Sequence, residues 1–356
     1  MLWEVEKEEK KDALDSWIES TEKELEMNQT RELLSGWLEL SGLPKFTTTM
    51  LPFLLGAVVA WAYGCPIDWV VLLVSLLALF LITDSCFVLN ACSVYADLKR
   101  SGVIFCPVDG TSTLHSTAVS GRFNALAKGH ITERQAAIGS YLCILAALPI
   151  SVLLQFYLHT GPLTLPLGII GMFIAYAYSR GPQFSYHGLG EIALTIGVGW
   201  WTVISGYYLQ AHQISWLPIF VALPWVIDVF KLKLTREIPD FECDQVINRR
   251  NLAIRMGKVT TVSLYLPLTV ASWLAFVPIL FLDVPYIGFV LLALPMFFTA
   301  KSLISIQTLK KSSIKNRDLR KAEVSMGAIT KDAFTGMILI PVALIGMFVV
   351  RMVVSA

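Results

Sequence analysis

Trp69-Val-Val-Leu-Leu-Val-Ser-Leu-Leu-Ala-Leu-Phe-Leu-Ile-Thr-Asp84-Ser-Cys-Phe-Val-Leu-Asn90-Ala-Cys-Ser-Val-Tyr-Ala96-Asp97 carries one charged side chain, Asp84, before it ends on Asp97. A bilayer core about 30 Å thick takes about 20 predominantly apolar residues at ~1.5 Å each. Residues 69–96 exceed that, so they are expected to cross a membrane as a helix and to project beyond it. Working outward, eight further apolar runs stand at 44–63, 134–158, 162–179, 188–209, 216–234, 260–282, 285–306 and 334–354. The chain has 356 residues, 55% hydrophobic and only 15% charged, against about 25% charged in an ordinary soluble domain. An all-α, polytopic membrane protein of about nine transmembrane helices is expected.

Lys and Arg are retained on the cytoplasmic side of a membrane. They concentrate after the second run (Lys99, Arg100, Arg122, Lys128), the sixth (Lys231, Lys233, Arg236, Arg249, Arg250, Lys258) and the eighth (Lys310, Lys311, Lys315, Arg317, Arg320, Lys321). The alternate connections at 64–68, 159–161, 210–215 and 283–284 hold none. The N-terminus and the long loops 97–133 and 235–259 are therefore expected in the cytoplasm. The membrane rule accounts for this basic charge, so no nucleic-acid role is read into it.

Residues 1–41 contain 12 acids against 5 bases and are expected to form a cytoplasmic acidic and amphipathic helical segment, with residues 42–356 as the membrane domain. No apolar signal region follows the start. Leu33, Leu34, Trp37 and Leu38 recur at helical spacing and would lay one face on the membrane surface. The six cysteines form no CxxC pair and read as small buried hydrophobes.

The chemistry concentrates at two helix ends. Asn90 and Asp97 are seven residues apart, and Asp240 and Asp244 four apart, so each pair shares a helix face. Carboxylates at the membrane end of a helix are costly unless they coordinate something. Hard oxygen ligands suit Mg²⁺ held jointly by carboxylates and a substrate phosphate, and two such clusters facing each other would hold a diphosphate.

The run Asp240-Phe-Glu-Cys-Asp244-Gln-Val-Ile-Asn-Arg249-Arg250-Asn-Leu-Ala-Ile-Arg-Met-Gly257 resembles the second Asp-rich motif of the UbiA superfamily of membrane prenyltransferases. Tyr178-Ser179-Arg180-Gly181-Pro182 with Tyr186-His187-Gly188-Leu189-Gly190-Glu191 resembles the Y-x-G-G-P and Y-x-G-L-G-E signatures of the branch that prenylates 1,4-dihydroxy-2-naphthoate. Pro52, Gly56, Gly129-His-Ile-Thr132 and Gly206-Tyr207-Tyr208 extend the similarity over roughly 42–350. The resemblance implies helices around a central cavity and Mg²⁺-dependent transfer of a prenyl group from its diphosphate to an aromatic acceptor. It assigns the metal to Asn90, Asp97, Asp240 and Asp244, with Glu237 as a further candidate, and makes Asp97, Asp240 and Asp244 the catalytic set. It places Tyr178 and Ser179 on the diphosphate, with Arg122, Lys128, Arg249 and Arg250 as candidates to neutralise it.

Departures accompany the match. Where the family has N-x-x-N-D-x-x-D, this chain has Asn90, Ser93, Val94 and Asp97, and Gly42 stands where an Arg is usual, with Lys45 about a turn on. If the first motif is an active but weakened metal site, Val94→Asp is expected to raise its Mg²⁺ affinity. Two other readings share the scaffold: a terpene cyclase acting on a prenyl diphosphate, and a degenerate homologue that binds isoprenoid without turnover.

Overall fold

The computed structural model describes residues 27–102, 124–315 and 319–355. Among them every regular element is helical. The principal helices are α1 (27–41), α2 (Thr47–Ala62), α3 (Trp69–Arg100), α4 (Glu133–Val152), α5 (Thr164–Ser179), α6 (Gly190–Ala211), α7 (Leu217–Arg236), α8 (Phe241–Val246), α9 (Leu252–Met256), α10 (Lys258–Phe281), α11 (Ala293–Lys315) and α12 (Leu319–Ser355).

Seven helical stretches are long and apolar enough to cross a bilayer among the described residues, which makes this an integral membrane protein. Each of the nine expected runs is helical, but the count of nine is not established. The run 162–179 becomes α5, only 16 residues long. The run 216–234 becomes α7, which carries Asp228, Lys231, Lys233 and Arg236 in its second half. Helix α3 is 32 residues long, roughly 48 Å by helical rise, longer than a bilayer core is thick.

Local signals set these boundaries. The Asp68 carboxylate accepts from the Val71 amide at 3.0 Å and starts α3, while Lys99 and Arg100 complement the dipole at its end. Thr132 and Gln135 form a capping box at the start of α4. Pro52, Pro149, Pro224 and Pro341 lie inside helices, as neighbouring helices in a membrane permit.

Association of α2 with α6 rests on glycine. A Cβ on Gly56 would lie 2.0 Å from the Val203 carbonyl oxygen, and one on Gly206 equally close to that of Phe53. The two backbones are in contact, which is how membrane helices gain packing without a hydrophobic driving force. Beyond them α7 supplies Trp225, fully buried, and α12 supplies Leu344, Met347 and Phe348 to the main apolar core.

Helix α1 packs one face inward: Leu33, Trp37 and Leu40 meet a second cluster that contains Val88, Val94 and Leu98, while Leu34 and Leu38 stay exposed. The Trp37 indole donates to the Asp84 carboxylate at 3.0 Å. Residues 1–26 of the acidic segment lie outside the described residues.

Candidate active site

The ends of α3, α5 and α7, the start of α6 and the segment 237–257 gather on one face of the bundle. Their joint is the signature 186–191. Gly188 adopts φ +72°, where a side chain would also meet the Arg255 guanidinium. That guanidinium donates to the carbonyls of His187 at 2.6 Å and Arg250 at 3.2 Å. Gly190 lies against the Ser185 backbone. Glu191, fully buried, accepts from the Leu252 amide at 3.0 Å and so caps α9 together with the Asn251 side chain. The glycines and the glutamate thus bind the loop before α6 to the acidic segment after α7.

The two acidic clusters expected from the sequence belong to one polar network. The Tyr186 hydroxyl donates to Asp97 at 2.5 Å, and Arg100 donates to the other carboxylate oxygen at 2.9 Å. Arg249 lies over the Tyr186 ring at 5.9 Å, donates to Asp244 at 3.3 Å and to the Ser185 carbonyl at 3.2 Å, and approaches Glu237 to 3.9 Å. The Asn251 amide donates to Glu237 at 2.7 Å and Asp244 at 2.6 Å. Lys233 pairs with Glu237. Asp240, Asp244, Glu237 and Arg249 are all buried.

Charge and burial fix the protonation of this network. Burial and then the hydrogen bond to Asp97 push the Tyr186 phenol well above its ordinary pKa, so it remains a donor. Burial opposes the charge on Arg249, but Asp244, Tyr178, Tyr186 and Asp240 hold its pKa above the usual value. Burial, then Asp240 and Asp244, push the Cys243 thiol up to about 12, which keeps it an inert thiol.

Asn90 and Ser179 meet where α3 crosses α5: the Ser179 hydroxyl donates to the Asn90 amide oxygen at 3.2 Å, and Ser93 donates to the Ser179 carbonyl at 3.3 Å. Asn90 borders a cleft whose wall also includes Lys45, Tyr178, Lys233, Arg236 and Glu237, while Ser179 is buried behind that wall. This cleft shares Cys86, Phe87, Tyr178, Leu194 and Val198 with a second, almost wholly apolar cavity. The cavity reaches Ser75 on α3, Leu154 beyond α4 and Leu209 on α6. From Phe87 to Ser75 it follows roughly 18 Å of helix. A π-helical turn at Thr195–Trp201 turns Gly197, Val198 and Trp201 toward it.

Several candidates fall elsewhere than the sequence suggests. Arg249 stands among the carboxylates and off the cleft wall, because the buried acids claim its charge. Arg250 is exposed and donates to Asn248, and Lys128 is exposed. Arg122 lies outside the described residues. In their place Lys45, Lys233 and Arg236 face the cleft, and Tyr186 and Glu191 organise the network.

Mg²⁺ suits these donors by type, since Asp97, Asp240, Asp244 and Glu237 offer hard carboxylate oxygens on one face. No three acidic, His or Cys side chains converge into a ligand set among the described residues.

Helical bundle, polar end and apolar cavity together make a membrane scaffold with one polar and one apolar compartment side by side. The chain belongs to the UbiA prenyltransferase family, which it matches over residues 49–317. It is similar to 1,4-dihydroxy-2-naphthoate octaprenyltransferase of Bacillus subtilis (strain 168), at 29% identity over 61% of this chain and 65% of the relative. The enzyme of the same name from Escherichia coli (strain K12) is 28% identical over 26% of this chain and 30% of its own length. The chain thus spans less than two thirds of the curated relatives it matches. Among solved structures, that of digeranylgeranylglyceryl phosphate synthase shares the fold at 15% identity, TM-score 0.56, covering 89% of this chain and 99% of the other. A UbiA homologue from Archaeoglobus fulgidus bound to DMAPP and Mg²⁺ does so at 13% identity, TM-score 0.52, covering 85% and 98%.

Proposed function

We propose that the protein is a Mg²⁺-dependent prenyltransferase that moves an isoprenyl or polyprenyl group from its diphosphate to an aromatic, quinone-precursor-like acceptor. The carrying observation is the continuity of the cation-bordered cleft with the apolar cavity. That shape takes a compact anionic head and a hydrocarbon tail. The A. fulgidus homologue bound to DMAPP and Mg²⁺, and the naphthoate octaprenyltransferases, support the donor and acceptor classes.

Asn90, Asp97, Glu237, Asp240 and Asp244 are the residues that would hold the metal, which when bound supplies charge to the departing diphosphate. The protein does the rest. Tyr178 stands where head and tail compartments meet, positioned to orient the diphosphate, and the buried Ser179 beside it holds Asn90 on the cleft wall. The apolar wall keeps water from the allylic carbon as its bond to oxygen breaks and the electron pair leaves with the diphosphate. An electron-rich ring carbon then supplies the pair for the new carbon–carbon bond and loses its proton. The polar face is assigned to the cytoplasm, because Lys99, Arg100, Lys233, Arg236, Arg249 and Arg250 lie on it.

Diphosphate release from purified protein with Mg²⁺ and a panel of prenyl diphosphates, with and without dihydroxynaphthoate, hydroxybenzoate and other phenols, tests this. Release that requires an acceptor is expected. Acceptor-independent release with a hydrocarbon or alcohol product would make the protein a cyclase, and no release with any donor would make it a binding protein.

A further inference from the structure

We infer that the end of the bundle opposite the polar face binds a phospholipid head group, with Arg351 taking the phosphate and Asp283 the ammonium of an ethanolamine lipid. The connections at this end, 64–68, 159–161, 210–215 and 283–284, hold no Lys or Arg. Arg351, one turn before the end of α12, is the only basic residue that reaches it among the described residues. It belongs to an apolar, membrane-length stretch, where a guanidinium is costly unless it finds partners.

The protein supplies fewer partners than this group needs. Its Nη1 donates to the Ala62 carbonyl at the end of α2, and the guanidinium stands over the Tyr63 ring at 4.2 Å, a cation–π contact that fixes its place. A guanidinium carries five N–H donors. Among the described residues Ala62 is the one acceptor it meets, Nε is without a partner, and no carboxylate pairs with it. The opposite charge stands on the far side of the same tyrosine. The Tyr63 hydroxyl donates to the Leu282 carbonyl at 2.8 Å. Asp283, the next residue, is exposed and held at φ +54°. Arg351 and Asp283 both act on Tyr63, yet no ion pair joins them among the described residues. A cation and an anion set apart by one ring match a phosphate and an ammonium joined by two carbons. The lipid would give phosphate oxygens to the spare guanidinium N–H groups and ammonium N–H groups to the carboxylate, as charge-assisted hydrogen bonds. Trp61, Tyr63 and Tyr286 are exposed at this end, as aromatic residues at head-group depth are.

Native mass spectrometry of the full chain released from detergent tests this, with dioleoyl phosphatidylethanolamine, dioleoyl phosphatidylglycerol, dioleoylglycerol or inorganic phosphate added. Wild-type protein is expected to retain one phosphatidylethanolamine about threefold more tightly than phosphatidylglycerol, the effect of one exposed ion pair. It should retain neither dioleoylglycerol nor phosphate alone. Arg351→Gln is expected to weaken phosphatidylethanolamine binding by about tenfold or more, the effect of one lost charged hydrogen bond. Asp283→Asn, which tolerates the same backbone angle, should keep the fold and erase the preference between the two phospholipids. Arg134→Gln, an exposed cation on α4 at the polar end, should change neither. Equal retention of phosphatidylethanolamine by wild type and Arg351→Gln would overturn the inference, as would a lipid preference untouched by Asp283→Asn. Should Arg351→Gln not fold, the wild-type protein decides by itself: dioleoylglycerol or free phosphate held as well as phosphatidylethanolamine would equally overturn it.

Discussion

Asp97 and Asp244 look equivalent in the sequence but stand in different surroundings. The Asp97 side chain is 24% exposed and is held by a neutral hydroxyl and an exposed Arg100. Asp244 is buried against the equally buried Arg249. Removing one partner of a buried ion pair costs about 3–5 kcal/mol. Asp97→Asn is therefore expected to lower turnover by at least ~100-fold, about 2.7 kcal/mol of transition-state stabilisation, with its thermal midpoint unchanged. Asp244→Asn should lower both turnover and midpoint; equal midpoints for the two variants in detergent would refute the distinction. Val94 shows the same dependence on surroundings. It is 4% exposed in a cluster with Ala91, Leu98, Ile131 and Cys243, so Val94→Asp places a carboxylate among apolar groups. The expected outcome changes accordingly: a lower thermal midpoint and no gain in Mg²⁺ affinity by calorimetry. The acids were legible in the sequence because carboxylates at apolar helix ends have few structural uses. Lys233 and Arg236 were not, since the bias of Lys and Arg toward one side of a membrane already explains any cation there, and only tertiary packing separates a cleft cation from a topological one.

Helices were readable at the same level: an apolar run of membrane length has to satisfy its own backbone, so every expected run is helical. Length and charge limit α5 and α7, which the hydropathy of their neighbours does not reveal. Contacts between helices were less legible. Gly56 and Gly206 are isolated glycines in sequence, yet each admits a carbonyl from the other helix. Gly206→Leu is expected to separate α2 from α6 and eliminate the monodisperse peak in size-exclusion chromatography; a wild-type profile would show that the contact is dispensable. The Trp37–Asp84 hydrogen bond joins two residues 47 apart, and nothing in either segment announces it. Trp37→Phe keeps the aromatic ring but removes the donor from a buried carboxylate, at a cost of about 1–3 kcal/mol, measurable as a lowered midpoint in thermal unfolding.

The cavity belongs to the molecule as a whole, since α2, α3, α5 and α6 each supply part of its wall. Leu154 and Leu209 lie toward the end remote from the polar cleft. Leu209→Trp is expected to cut turnover with long prenyl diphosphates at least ~10-fold while geranyl diphosphate keeps near wild-type kcat/KM; a uniform loss across chain lengths would show that the tail runs elsewhere. The zone where the two compartments meet gives the whole a direction. On the proposed function, a donor in the site would be tethered at both ends, by charge at its head and by hydrocarbon contact along its tail. Once its bond to diphosphate has broken, the tail belongs to a molecule that has no anion for the cationic wall to grip. The product is then held by apolar contacts that surrounding lipid offers equally well. Departure into the bilayer is thus favoured by the reaction itself, and a competitor that keeps both ends, a non-cleavable diphosphate analogue, should be the hardest occupant to displace.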